Sequence, residues 1–212
     1  MKKTDVQASY DAVAENYAAH FRDEMQKKPF DRKMLEWLVE KVGDAGTICD
    51  LGCGPGQIAG FLQSLGARTC GIDLSPEMIK QAQALNPDIS FQTGDMTNLE
   101  NVSDSSFGGI AAFYAIVNIP PDLLPKVFAE MRRVLRAKGV LLITFHIGDQ
   151  TVCLEEFLEK KVSLDFFFFT TAEIKKLLQT AGFNIEEAIE RDPYDESVEH
   201  QSRRAYIFAR KG

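Results

Sequence analysis

Residues 48–56 read Ile48-Cys49-Asp50-Leu51-Gly52-Cys53-Gly54-Pro55-Gly56. A short apolar run of β type closes on an acid, and glycines then stand at three alternate positions before a helix begins. Glycine accepts positive φ and carries no side chain, so a ligand can lie directly against the backbone of such a loop. A dinucleotide loop spaces its glycines G-x-G-x-x-G and leaves a phosphate on the helix amino terminus. Here the third glycine arrives one residue early, at Gly56, and Gln57 stands where that spacing wants glycine.

Outward from this loop the chain alternates. Strand candidates are 46–51, 68–73, 89–93, 108–114 and 139–146, with helices between most of them, and two closing strands follow at about 183–190 and 203–209. Alternation of this kind predicts a parallel sheet covered on both faces. The last two strands are joined by 191–202 with no helical pattern, which predicts an antiparallel hairpin. The helix signals are local and chemical. Ser75-Pro76-Glu77 offers a cap, a first-turn proline and an acid at the positive end of the dipole. Asp122 follows Pro120-Pro121 in the same manner, ahead of Leu124, Val127, Phe128, Met131 and Leu135. Thr170-x-x-Glu173 reads as a capping box, and Gly182 ends that helix. Before the loop, residues 5–22 place Val6, Tyr10, Val13, Ala14, Tyr17 and Phe21 on one helical face. A second helix after Pro29 buries Met34, Leu35, Leu38, Val39 and Val42.

The 212 residues suffice for one domain with a substantial core. Along it, 1–45 is expected to form a helical cap, 46–146 a ligand-binding core, and 147–212 an insertion, a helix and the final hairpin. A net charge of −7 argues against a broad nucleic-acid footprint, and Arg203-Arg204 and the basic residues of 132–138 read as solvated. No stretch approaches the roughly 18 apolar residues of a membrane span, and the first residues hold no apolar leader, so a cytoplasmic location without a membrane partner is expected. The four cysteines form no C-x-x-C pair, Cys49 and Cys70 read as core residues, and no metal is expected.

The D-x-G-x-G-x-G form of residues 50–56 resembles the first motif of class I S-adenosylmethionine-dependent methyltransferases, and the resemblance is specific over roughly 46–146. It implies an α/β fold with a doubly wound, Rossmann-like seven-stranded sheet, mostly parallel with one antiparallel strand and helices on both faces. It also implies S-adenosylmethionine as cofactor. By resemblance, Gly52, Cys53, Gly54 and Gly56 cradle the methionine half and Asp50 approaches its amino group. Asp73 accepts the ribose hydroxyls, with Leu74 and Met78 beside it. Gly94, Asp95 and Met96 take the adenine; Phe113 at the end of the fourth strand is open between an aromatic face beside the sulfonium and a core residue, and Tyr17 on the first helix between closing over the site and packing in the core. The physical fit is sound, since an ammonium and a sulfonium tolerate a nearby carboxylate where a pyrophosphate would not.

Substrate-side candidates are Tyr10, Tyr114, Asn118, His146 and Arg191. Asn118-Ile119-Pro120-Pro121 departs from the Asn-Pro-Pro-aromatic motif of amino-group methyltransferases and reads as a loop and helix start. His146, ending the fifth strand, is open to two readings, a proton acceptor or a hydrogen-bonded structural residue. Phe166-Phe167-Phe168-Phe169 is open between the wall of an apolar pocket, a buried strand and a subunit contact. Arg191, with Tyr194 and Arg203, either binds an acidic group or is surface charge. The expected reaction is methyl transfer to an unidentified small-molecule acceptor, with no catalytic residue named, in a monomer or homodimer. Two alternatives share these motifs, namely an NAD(P)-dependent oxidoreductase, against which Gln57 and Gly94-Asp95 stand, and a non-catalytic S-adenosylmethionine-binding protein.

Overall fold

The computed structural model describes residues 3–212. Three helices, α1 (Lys3–His20), α2 (Glu24–Lys27) and α3 (Pro29–Val42), lead into β1 (Ile48–Leu51). There follow α4 (Gln57–Ser64), β2 (Thr69–Asp73), α5 (Pro76–Leu85), β3 (Ser90–Thr93), β4 (Phe107–Phe113), α6 (Leu124–Val134) and β5 (Leu135–His146). The chain closes with β6 (Thr151–Phe157), β7 (Lys160–Phe167), α7 (Thr171–Thr180), β8 (Phe183–Arg191) and β9 (Arg204–Lys211).

Seven strands form one sheet in the order β3-β2-β1-β4-β5-β9-β8. All neighbours are parallel except β9, which runs antiparallel to both β5 and β8. β1 lies between β2 and β4, with Asp50 opposite Gly71 on one side and Ala111 on the other. The strand order therefore reverses at β1, and the crevice beyond its carboxyl end is where an open α/β sheet binds ligands. β1 and β4 are buried throughout, as strands covered on both faces must be. On one face Phe128, Met131, Ile174 and Leu178 pack against Phe145 and Ile207. On the other, Leu35, Leu38 and Leu62 meet Leu142 and Phe208. Gly108 and Gly109 permit close packing, since a Cβ on Gly109 would lie 2.6 Å from Val42 Cγ2.

Five local expectations change. Asp122 does not cap α6, because Pro121–Leu123 forms a separate 3-10 turn and Leu123 occupies the cap position without a side-chain bond. Phe21 lies beyond the end of α1, and Leu135 opens β5 rather than closing α6. The four-residue α2 has no counterpart in the sequence reading. Most consequential, 151–167 is a two-stranded hairpin, with Phe157 paired to Lys160. Its two-residue turn is Leu158-Glu159, both at positive φ (50° and 65°), where a sequence signal would have been Asn-Gly. Its strands are half exposed and interrupted by Glu155-Glu156 and Lys160-Lys161, so no apolar run marks them.

Candidate functional site

The glycine loop is tied to the next strand, as Gly52 and Cys53 donate to the Ile72 carbonyl at 2.7 and 3.1 Å. Gly52 has φ +78°, and a Cβ there would stand 2.6 Å from the Ala115 Cβ, so both backbone and space require glycine. Asp50 does not reach the cavity beyond the loop. It is 1% exposed, and its Oδ2 accepts the Ala59 amide of α4 at 3.0 Å. Burial above all, with the nearby Asp73 charge, pushes its carboxyl up to about 8. Gly56 also sits behind the loop, where a Cβ would come 2.9 Å from Phe91 Cζ. Both residues shape the loop rather than face the cavity.

The cavity wall does include Tyr17, Gly52, Cys53, Gly54, Asp73, Leu74, Met78, Gly94, Asp95, Met96 and Phe113, together with Tyr10, Tyr114 and Asn118. Asp73 ends β2 with Oδ2 accepting Gly54 N and Oδ1 accepting Ser75 N, both at 2.8 Å. Each oxygen retains a second lone pair for a hydroxyl donor. Burial raises the Asp73 carboxyl, and the amides of Ser75, Gly54 and Leu74 oppose that shift. Asp95 accepts the Thr97 amide at 3.0 Å and its hydroxyl at 2.7 Å. Ser75 caps α5 by accepting Met78 N, which holds Met78 in the wall.

The electrostatic character of this wall is one-sided. Glu24, Asp31, Asp73 and Asp95 contribute carboxylates, Glu24 paired with Lys28 at 2.6 Å and Asp31 with Arg191 at 3.3 Å from behind the wall, while no Lys, Arg or His lines the cavity among the described residues. Such a site suits a cationic ligand with hydroxyl and amino donors and repels a pyrophosphate. The residues present therefore fit S-adenosylmethionine.

The first helix is fastened across the opening. Tyr10 donates its hydroxyl to Asn118 Oδ1 at 2.7 Å, and Asn118 Nδ2 donates to the Asp165 carbonyl of β7 at 2.9 Å. Ser163 N donates to Ser9 Oγ at 3.0 Å and Asn16 Nδ2 to the Leu158 carbonyl at 2.9 Å. The hairpin and α1 are thus one cover. Burial, first among the causes, pushes the Tyr10, Tyr17 and Tyr114 phenols upward, so all three remain protonated.

A second cavity of about 300 Å³ adjoins the first and shares Tyr10, Tyr17, Glu24 and Tyr114 with it. Its wall is largely aromatic, with Phe21, Phe157, Phe166, Phe168 and His146. His146 lies between Tyr114 and Phe168, with ring centroids 5.2 Å away on either side, and its Nδ1 meets Ser202 Oγ at 2.7 Å. Burial, followed by the positive charges of Arg204, His200 and Lys28, lowers it to about 3. A neutral imidazole of that kind is a poor proton sink, so the geometry favours the hydrogen-bonded reading over the general base. The phenylalanine run divides, with Phe166 and Phe168 facing the cavity and Phe169 packing in the core against Phe145.

Arg191 lines neither cavity and is not surface charge. It pairs with Glu199 at 2.6 Å and Asp31 at 3.3 Å and donates to the Tyr206 hydroxyl at 2.9 Å. The exposed cation of that cluster is Arg203, which meets Glu190 and Asp192, whereas Arg204, expected to be solvated, is buried and pairs with Glu199 at 3.1 Å. Glu24, Asp31 and Gln57, all in the first cavity's wall, are not among the expected site residues, and Gln57 enters the sequence reading only as a departure from the dinucleotide spacing. Asp31 had a signal, because it continues the buried stripe Leu35, Leu38 and Val42 of α3, where an acid needs a reason.

Residues 48–139 match the family model described as a methyltransferase domain. Among curated relatives, the uncharacterized methyltransferase C70.08c of Schizosaccharomyces pombe is 27% identical over 183 residues, covering 78% of this chain and 70% of that protein. The trans-aconitate 2-methyltransferase of Escherichia coli is 34% identical over 101 residues, covering 45% and 37%. The chain spans between about two-fifths and seven-tenths of the first curated relatives it matches. Among solved structures, the 1,6-didemethyltoxoflavin-N1-methyltransferase of Burkholderia thailandensis, with 1,6-didemethyltoxoflavin and S-adenosylhomocysteine bound, superposes with TM-score 0.75 at 18% identity, covering 98% of this chain and 88% of that one.

Proposed function

We propose, from the match of residues 48–139 to a methyltransferase domain, that the whole chain is a class I S-adenosylmethionine-dependent methyltransferase that transfers a methyl group to a small-molecule acceptor. The observation that carries this reading is the cavity beyond β1, walled by four carboxylates and no cation among the described residues. When bound, S-adenosylmethionine supplies a sulfonium methyl that an acceptor nucleophile takes in line. Asp73 is assigned to the ribose hydroxyls, Gly52 and Gly54 to the backbone surface under the cofactor, and Asp95 with Met96 to the adenine. The adjoining aromatic cavity receives the acceptor, and Tyr10, Tyr17 and Tyr114 frame the passage between the two. α1 and the β6–β7 hairpin exclude water, so alignment of the reactants is the chain's main contribution to rate.

In this reading one domain does the work, with 1–45 as cover, 46–146 as cofactor core and 147–212 completing the acceptor side. The bound 1,6-didemethyltoxoflavin of the Burkholderia relative supports a small acceptor. A net charge of −7 makes nucleic acid a poor partner. No described helix is long and apolar enough to cross a membrane, and the reading places the chain in the cytoplasm as monomer or homodimer. Calorimetric titration with S-adenosylmethionine, S-adenosylhomocysteine and NADH tests the assignment. Micromolar binding of the first two without NADH is expected, followed by transfer of a labelled methyl group to an acceptor from a metabolite panel. Binding of NADH alone would overturn the reading.

A further inference from the structure

We propose that the acceptor is an uncharged, flat nitrogen heterocycle of fused aromatic rings, methylated on a ring nitrogen whose lone pair is free. Such an acceptor presupposes the methyltransferase reading and gives that site its substrate class.

The walls of the second cavity select for shape. Phe, Trp and Tyr make up 10% of the chain, yet seven of the seventeen residues around this cavity are Phe or Tyr. Tyr114, His146 and Phe168 form a run of rings with centroids 5.2 Å apart and tilts of 31° and 30°. Phe157 meets Tyr17 and Phe166 edge-on, at 6.1 and 6.4 Å. A wall that offers both ring faces and ring edges rewards a flat π-system over a saturated ligand of equal area. The volume of about 300 Å³ is twice the roughly 150 Å³ that holds one benzene, which leaves room for fused rings.

Charge on this wall is already balanced. Lys28 pairs with Glu24 at 2.6 Å and lies 3.6 Å from Glu199, and Arg204 pairs with Glu199 at 3.1 Å. These four side chains are largely buried, whereas His200 is exposed to solvent. An ionised acceptor would bring an unmatched charge to a desolvated wall or break one of the pairs, and either is costly. An uncharged acceptor leaves them whole.

No side chain lining this cavity is free to take a proton, among the described residues. Both Glu24 oxygens are engaged, by Lys28 and by Gln57. Glu199 is held by Arg191, Arg204 and the Tyr194 amide. His146 is bonded through Nδ1 to Ser202, and burial lowers its basicity. A phenol or thiol must lose its proton to attack, and its anion would carry the unmatched charge just excluded. A pyridine-type ring nitrogen needs neither. Its lone pair forms the bond to the methyl carbon, the carbon–sulfur bond breaks with its electron pair going to sulfur, and the sulfonium becomes a neutral thioether. The positive charge passes to the heterocycle, beside Tyr and Phe faces that attract a cation.

The test titrates the full chain, loaded with S-adenosylhomocysteine, at neutral pH with isoquinoline, quinoxaline, an isoquinoline carboxylate and the saturated alcohol decalol. The better of the two heterocycles is expected to bind about tenfold or more tighter than the carboxylate and decalol. Phe168→Leu keeps apolar bulk but removes the ring beside His146, and should cut the preference over decalol about threefold or more. Phe166→Leu repeats that measurement if the first variant misfolds. With labelled S-adenosylmethionine, the bound heterocycle should yield its N-methyl cation by mass, and naphthol should yield no product. Failure of both heterocycles to bind the loaded protein, decalol or the carboxylate binding as tightly, a preference intact in the folded variants, no N-methyl cation, or methylation of naphthol would overturn the proposal. If S-adenosylhomocysteine itself fails to bind, the methyltransferase reading falls, and that result is distinct from a loaded protein that prefers another acceptor.

Discussion

Asp73→Asn perturbs the loop and the ligand by separable amounts. In the native protein the two carboxylate oxygens each accept a backbone amide, Gly54 N on Oδ2 and Ser75 N on Oδ1, at 2.8 Å. Asparagine keeps one acceptor oxygen and turns an NH2 donor toward the other amide, which is then orphaned in a buried site. That mismatch should cost about 1–3 kcal/mol of folding stability. On the proposed ribose assignment cofactor binding suffers separately, because a carboxylate acceptor of two hydroxyls becomes a neutral amide. A loss of about 1–3 kcal/mol there is a 5- to 150-fold weaker Kd. Urea unfolding without ligand reads the first quantity, and calorimetric titration with S-adenosylhomocysteine reads the second. A 2′-deoxy analogue closes the argument, since it should bind less well than S-adenosylhomocysteine to the unaltered protein and nearly as well to the variant. Affinity within twofold of the unaltered protein, or an unchanged penalty for the 2′-deoxy analogue, would refute the ribose assignment.

Three further outcomes are expected. Gly52→Ala should cost about 2–5 kcal/mol, from the positive φ and from a Cβ placed 2.6 Å from the Ala115 Cβ, whereas Gly66→Ala, at φ +86° with nothing within 4 Å, loses only the conformational part. Equal melting-temperature shifts in the two variants would disprove the close approach at Gly52. A double-mutant cycle of Tyr10→Phe and Asn118→Ala should show coupling of about 1 kcal/mol in chemical denaturation, and strict additivity would mean that their 2.7 Å bond does not hold the cover down. His146 is lowered from 6.5 in the unfolded chain to about 3 in the fold. Below pH 6.5 the unfolded state therefore binds a proton that the native state refuses. Its stabilising share is present above that pH and lost as pH falls, by up to about 1.4 kcal/mol per unit. His146→Gln should flatten the difference in stability between pH 6 and pH 4, and an unchanged slope would contradict the buried neutral ring.

The sequence by itself determined the sheet and the cofactor loop. Glycine spacing at 52–56, the acid at Asp73, the caps at Ser75 and Thr170 and the alternation of strands with helices are all encoded within a few neighbouring residues. Their physics is local, a matter of φ, hydrogen-bonding side chains and hydrophobic period. Only the tertiary structure decided which acids face the cavity. Asp50 stands one residue before the end of β1 and Asp73 ends β2, and one turns back into α4 while the other lines the cavity, a difference set by the pleat and by helix placement. Asp31, Gln57 and Glu24 come from three elements and share one cavity wall only when α2 and α3 fold over the loop. The hairpin under the aromatic cavity was hidden because its turn holds Leu158-Glu159 and its strands earn their pairing from contact with α1, Ser163 to Ser9 and Leu158 to Asn16. Interactions across some 140 residues or more of chain leave no periodic trace in sequence, since nothing near those residues enforces them until the core has formed.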